Sequence, residues 1–317
     1  FKTIFMFSLF YIPYSLIVTE VLGSYYILIL WALMGFGMAG IGLSIMHDAN
    51  HNAYSSKPIV NKFFGYFLNL MGGYDLNWRV QHNVLHHTYT NILGMDEDVD
   101  AGIVLRFSED QKTKPHHRYQ HIYAWFLYGL MSISWIISKD FIQVIKYNRK
   151  DLLKSQGKTL DKAIMFLILW KVFYLSYILV VPIMITGNIW IHISGFFIMH
   201  FIAGIFLTTV FLCAHIVDQT DFPHPDGDGV MNSNWFIHQL ETTANFSNRK
   251  TFFTWFIGGL NYQIEHHLFP SICHVHYYDL SRIVKQTAEE YDLPYYSNNT
   301  FYTALKHHYN HLKLMGR

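Results

Sequence analysis

Four apolar runs long enough to cross a bilayer constrain this chain more than any other feature. A membrane helix needs about 20 predominantly apolar residues, and residues 4–23, 26–46, 163–186 and 189–214 each meet that length. Lys171 is the only charge within the third run. Ser24-Tyr25 joins the first pair and Gly187-Asn188 the second, so the runs read as two helical hairpins. Apolar residues make up 51% of the 317 and charged residues 14%, the balance of a membrane protein. A formal net charge of +1 supplies no field that would gather nucleic acid. The expected fold is an all-α integral membrane protein: four transmembrane helices in two hairpins, with a helical cap from 47–162 and 215–317, in a single domain over 1–317.

Charge placement orients the spans. Lys and Arg number fourteen between 47 and 162 and seven from 215 onward, and the two short turns carry none. The positive-inside rule then places both termini and the cap in the cytosol, of a bacterial inner membrane or an endoplasmic reticulum. Weaker apolar stretches at 63–71 and 121–137 read as interfacial or re-entrant helices. An amphipathic helix is expected from about 279 to 291, before Pro294. Gly35, Gly37, Ala39, Gly40 and Gly42 line the second run, where small residues allow close helix contact or leave room for a slim ligand. Cys213 and Cys273 form no motif and read as free thiols.

Histidines gather where the spans end. His47 and His51 follow the second run, His82, His86 and His87 lie in the cap, and Gln263, His266 and His267 stand in the tail. Residues at i, i+3 and i+4 share a helix face, so each set can aim at one point. A first-row metal accepts about six ligands at most, so seven clustered imidazoles point to two metals. His192, His200, His307, His308 and His311 read as background. His215 ends the fourth run as His47 ends the second and is a further candidate ligand. His238 is a weaker candidate, balanced against an ordinary polar histidine. Gln263, where a histidine would complete the third set, is an oxygen ligand, a ligand through water, or a hydrogen-bond partner of a neighbouring histidine.

Metal-bound imidazoles usually donate their other N–H to a carboxylate or carbonyl. Asp48 and Glu265, lying inside clusters, are the favoured partners, with Asp96, Asp98 and Asp100 behind them. Asp96-Glu97-Asp98-Val99-Asp100 begins like a calcium loop, but Ala101 and Phe107 stand where the glycine and final glutamate belong, so it reads as an acidic loop. No Glu-x-x-His follows any of the seven glutamates, which removes the carboxylate-rich di-iron bundle. No His-Glu-x-x-His occurs, which disfavours a zinc protease. Zinc lacks redox chemistry, whereas a histidine-bound iron pair suits oxygen activation against a lipid C–H bond.

His47-x-x-x-His51, His82-x-x-x-His86-His87 and Gln263-x-x-His266-His267 resemble the three histidine boxes of the membrane fatty-acid desaturases. The glutamine in the third box, with Gly258-Gly-Leu-Asn-Tyr-Gln263, Ala214-His215-Ile-Val and His238-Gln-Leu-x-Thr-Thr, is similar to the front-end branch. The resemblance covers nearly the whole chain. It implies two iron ions held by His47, His51, His82, His86, His87, His215, His266 and His267, with Gln263 near or on the metal and no catalytic residue beyond these. It also implies O2 as co-substrate and a double bond introduced into a long-chain acyl-CoA or acyl lipid. Electrons would come from a separate ferredoxin, or cytochrome b5 with its reductase, because the His-Pro-Gly-Gly motif of a fused cytochrome b5 is absent from this sequence, as in bacterial-type members, unless a domain precedes Phe1.

An apolar tunnel beside the second run is expected to hold the acyl chain, since adjacent methylenes differ only in position. Asn77, Trp78 and Arg79 are candidates for shaping its mouth. Arg79, Lys57, Lys62, Arg249 and Lys250 are equally readable as acyl-CoA phosphate contacts or as contacts to anionic lipid heads. A lipid hydroxylase or sphingolipid desaturase on the same scaffold is the nearest alternative. A histidine-lined metal transporter is the alternative of another class, although transport favours ligands near mid-membrane.

Overall fold

The computed structural model describes residues 1–317, Ser24 by its backbone only. The principal helices are α1 (Lys2–Thr19), α2 (Ile27–Asn50), α3 (residues 75–89), α4 (Pro115–Arg149), α5 (Leu160–Thr186), α6 (Ile189–His215) and α7 (Gln263–Leu268). Five of these, α1, α2, α4, α5 and α6, are long and apolar enough to cross a membrane. The four apolar runs appear as α1, α2, α5 and α6. The fifth helix, α4, corrects the expected length of the apolar stretch at 121–137. That run continues unbroken into a charged stretch containing Lys139, Asp140, Lys146 and Arg149, which hid its length in the sequence.

Two compact units, interleaved in sequence, make up the chain: residues 1–50, 57–80 and 127–208 form one, and 51–56, 81–126 and 209–317 the other. Residues 57–80 and 127–162 thus group with the long apolar helices.

In the first unit, α1 packs against α2 at Gly37, where a Cβ would stand 2.7 Å from the backbone nitrogen of Phe10. At Gly35, a Cβ would stand 2.7 Å from the Met199 carbonyl of α6. At these two glycines the missing side chain serves close helix packing rather than space for a ligand. The turn between α5 and α6 needs Gly187, whose φ of 69° lies in the left-handed region. Polar side chains tie the helices together inside the unit. The Ser132 hydroxyl of α4 meets His200 Nδ1 of α6 at 3.0 Å, and His200 Nε2 meets the Tyr174 hydroxyl of α5 at 2.6 Å.

The second unit combines short helices with a parallel pairing of strand Ala244–Phe246 against Tyr296–Asn298. Arg106 fastens its termini, donating to the carbonyls of Met315, Glu109 and Gln111, each at 2.7 Å. Gln120 donates to the carbonyls of Arg106 and Leu312 at 2.8 and 2.9 Å. The expected amphipathic helix forms as Tyr277–Glu290.

Two helices that carry histidines are not plain α-helices. Gly42–Met46 of α2 and Arg79–His86 of α3 are π-helical, wound with i→i+5 hydrogen bonds. Fourth and fifth residues then return to one face, whereas α-winding returns the third and fourth. The wider winding brings His87 round to the side of His82, with ring centroids 4.9 Å apart.

Candidate metal centre

The second unit gathers imidazoles from the turn after α2 and from α3, α6 and α7, and buries them. His86, His215 and His267 offer ligand nitrogens within 4.8 Å of one another. Their ring centroids are 4.7 Å apart for His86–His215, 4.8 Å for His86–His267 and 4.7 Å for His215–His267. His51, His82 and His266 form a second group with ligand nitrogens inside the same limit. His87 stands between the groups, its ring 4.6 Å from His266 and 4.4 Å from His267. His47 lies one helical turn before His51, at the end of the π-segment of α2. Its N–H reaches the Gly42 carbonyl, and its ring packs 5.6 Å from Trp78.

Each imidazole of the first group is held by one nitrogen. His86 Nδ1 meets Asp96 at 2.9 Å, His215 Nδ1 the Thr242 carbonyl at 3.2 Å, and His267 Nδ1 the Gln239 side-chain oxygen at 2.7 Å. These acceptors fix the proton on Nδ1 and leave a lone pair on Nε2. Among the described residues, the Nε2 atoms of His86, His215 and His267 are buried without a hydrogen-bond partner. Buried polar atoms are ordinarily satisfied, so three converging orphan lone pairs fit a metal ion. Both amide atoms of Gln263, fully buried on α7, likewise lack a partner among the described residues. In the second group, His82 Nδ1 meets Asp98 at 2.7 Å and His266 Nδ1 the Tyr277 hydroxyl at 3.1 Å.

Local electrostatics follow from these contacts. Burial pushes His86 down, but Asp96 and Asp98 outweigh it and raise its pKa. His267, buried and surrounded by His87, His215, His86 and His82, is held well below the ordinary imidazole value. The first group thus differs from a salt-bridge network, in which every imidazole would carry charge.

The remaining expected residues fall elsewhere. Glu265, favoured as a carboxylate partner, turns away from the imidazoles. It accepts from Asn245 Nδ2 at 2.8 Å and the Tyr295 hydroxyl at 2.9 Å, and burial raises its pKa to about 7. Successive residues on a helix point in different directions, so lying beside His266 in sequence did not place it beside a ring in space. Asp48 is buried 4.0 Å from the Nδ1 of its neighbour His47. His238 gives its Nε2 to the Thr90 carbonyl at 2.8 Å. Asn77 donates to the Asp140 carbonyl at 2.7 Å, Trp78 packs with Met46 and Leu68, and Arg79 pairs with Asp75 at 2.8 Å. The acidic loop supplies the carboxylates instead, through Asp96 on His86 and Asp98 on His82. Gln239 and Thr242 were the residues missed, and their place in His238-Gln-Leu-x-Thr-Thr was the available signal.

Long apolar helices and a buried, carboxylate-supported cluster of imidazoles able to hold metal ions define a histidine-rich membrane protein. The fatty acid desaturase family model matches residues 24–299. The chain is 35% identical over 286 residues to the sn-1 linoleoyl-lipid 6-desaturase of Synechocystis, covering 90% of this chain and 79% of that one. It is 34% identical to the enzyme of that name from Arthrospira platensis, covering 90% and 76%. It is 36% identical to the acyl-lipid (8-3)-desaturase of Physcomitrium patens, covering 92% and 63%. The chain belongs to the fatty acid desaturase family, as its histidine boxes led us to expect, and is an oxidoreductase acting on fatty acyl chains.

Proposed function

We propose that the chain introduces a double bond on the carboxyl side of an existing one in a lipid-bound long-chain acyl group. The observation that carries this reading is the pair of imidazole groups sharing His87, with orphan nitrogens facing inward in the first. The front-end position is supported by Gln263 opening the third box and by relatives named as 6- and (8-3)-desaturases.

His86, His215 and His267 would hold one iron, and His47, His51, His82 and His266 the other, with His87 between and Gln263 a weak oxygen ligand. Bound iron supplies oxygen activation for removing two hydrogens from adjacent methylenes. The protein's part is positional. Asp96, Asp98, Gln239, the Thr242 carbonyl and Tyr277 fix the rotation of five imidazoles, so the ligand set is organised before substrate arrives. Burial of these rings keeps bulk water from the reacting methylenes.

Four crossings remain our topology, with α4 lying outside the count. His86, before α4, and His215, after α6, are neighbours in one unit. Neighbours share a membrane side, so an even number of crossings separates them; α5 and α6 supply two, and α4 would make three. The positive-inside charge balance supports a cytosolic position for the site. We assign the electrons to a separate donor protein, ferredoxin or cytochrome b5.

Expression in a host supplied with defined fatty acids, followed by locating new double bonds by mass spectrometry, tests the reading. A new bond between the carboxyl group and an existing double bond is expected. Hydroxy-lipids, or insertion on the methyl side, would overturn it.

A further inference from the structure

The first unit contains a cavity of about 610 Å³ away from the imidazoles' own residues, between the 66–79 segment and the start of α5. Its size lies within the range of about 300–1,000 Å³ usual for small-molecule sites. One wall is an α5 stripe of Phe166, Leu169, Trp170 and Phe173, at helical spacings i, i+3, i+4 and i+7. Phe166 and Phe173 are 45% and 52% exposed, so the stripe faces outward, as surface in contact with lipid does. Tyr66 stacks near Trp170 at 6.4 Å with a 29° tilt, an aromatic pair of the kind that marks a headgroup boundary.

The polar end of the cavity is cationic. Arg79 and Lys158 line it with Asp75, so two positive charges against one negative leave +1. Asp75 is already committed: it pairs with Arg79 at 2.8 Å and accepts from Asn69 Nδ2 at 2.9 Å. Arg79 still presents about a third of its side chain, 32%, outward, and a guanidinium has five N–H donors, more than one carboxylate oxygen uses. Lys62 stands nearby, its Nζ 6.0 Å from the Tyr66 ring centre. An apolar wall ending in guanidinium and ammonium groups at an aromatic boundary complements a phosphate joined to an acyl chain.

We infer that this cavity is a binding site for an anionic glycerophospholipid of the surrounding bilayer, its phosphate on Arg79 and Lys158 and one acyl chain along Phe166, Trp170 and Phe173. Arg79 begins the π-segment of α3 that carries His82 and His86 three and seven residues later. Headgroup binding therefore ties a bilayer component to the first turn of that segment. The site is separate from the desaturation reading, and its test does not use turnover.

The full chain, purified in mild detergent and stripped of lipid, is titrated with phosphatidylglycerol or phosphatidylcholine and read by native mass spectrometry. Wild type is expected to hold about one phosphatidylglycerol and to prefer it over phosphatidylcholine. Lys158→Glu, a change on an exposed turn, and Arg79→Gln/Lys158→Gln should each weaken that preference, by about fivefold per cation removed. Trp170→Ala should weaken both lipids alike. Equal retention of the two lipids by wild type, or undiminished phosphatidylglycerol binding in both cation variants, would overturn the assignment. Recovery of a free fatty acid in place of phospholipid would overturn the headgroup.

Discussion

The Lys171 ammonium of α5 is bonded to the Asp140 carboxylate of α4, and both are buried among the apolar helices. Lys171 also donates to the carbonyls of Gly72 and Trp135 at 2.6 and 3.1 Å, while Asn77 of α3 donates to the Asp140 carbonyl. This cluster fixes α3 just before the second histidine box. Breaking a buried pair leaves one charge uncompensated and costs about 3–5 kcal/mol, whereas an apolar pair of similar volume can be neutral. Lys171→Met should lower the melting temperature in detergent sharply, and Lys171→Met/Asp140→Leu should recover most of the loss. Equal melting of wild type and the single variant would contradict the pair's importance.

Asp96→Ala and Asp98→Ala remove the acceptors of His86 and His82. Loss of such supporting partners typically costs about 10–100-fold in metal affinity or activity. Glu265→Gln, which faces Asn245 and Tyr295, should lose far less. Iron content and turnover, measured together on all three variants, rank them.

His86→Ala should abolish turnover and lower bound iron while the protein stays folded in the membrane. His238→Ala should keep its iron, because His238 belongs to neither imidazole group. Chelation of wild type should remove activity, and ferrous iron should restore it. Retained turnover in His86→Ala would remove that residue from the ligand set.

Gly37→Val forces a side chain into the backbone of Phe10. Overpacking costs roughly 1–3 kcal/mol where side chains can adjust, and more against rigid backbone. Lower yield and a lower melting temperature are expected, with Gly227→Ala, where an added Cβ meets open space, as the milder control.

Acid should destabilise the second unit through His308. Burial lowers its pKa to about 4, and its Nδ1 meets the Ile216 carbonyl at 2.6 Å. An unfolded histidine takes up its proton near pH 6.5, so the unfolded state binds more protons between pH 6.5 and 4. The stability due to the neutral ring is complete above that window and lost as pH falls through it. Melting curves across the window should be flatter for His308→Gln than for wild type.

The span-length helices were legible because crossing a bilayer imposes length and composition together, as in α5 and α6. The histidine sets were legible because His47/His51 and His82/His86 keep a helical spacing whatever surrounds them. Other features depend on contacts that local pattern does not encode. Asp96 reaches His86 only because the loop after α3 doubles back, and Glu265 misses the rings although it adjoins one. The length of α4 was obscured by charges that a buried partner, Lys171, partly neutralises. The π-winding of 79–86 follows no residue preference that reading in order would reveal.

That winding makes α3 sensitive to residue count rather than residue type. Removing Val80 or Gln81 would let the segment relax to ordinary winding, at about 100° per residue. His87, five residues after His82, would then swing roughly 140° away from it, although every imidazole was still present. An engineered deletion there would thus disarm the enzyme by phase alone, with composition and hydropathy almost untouched.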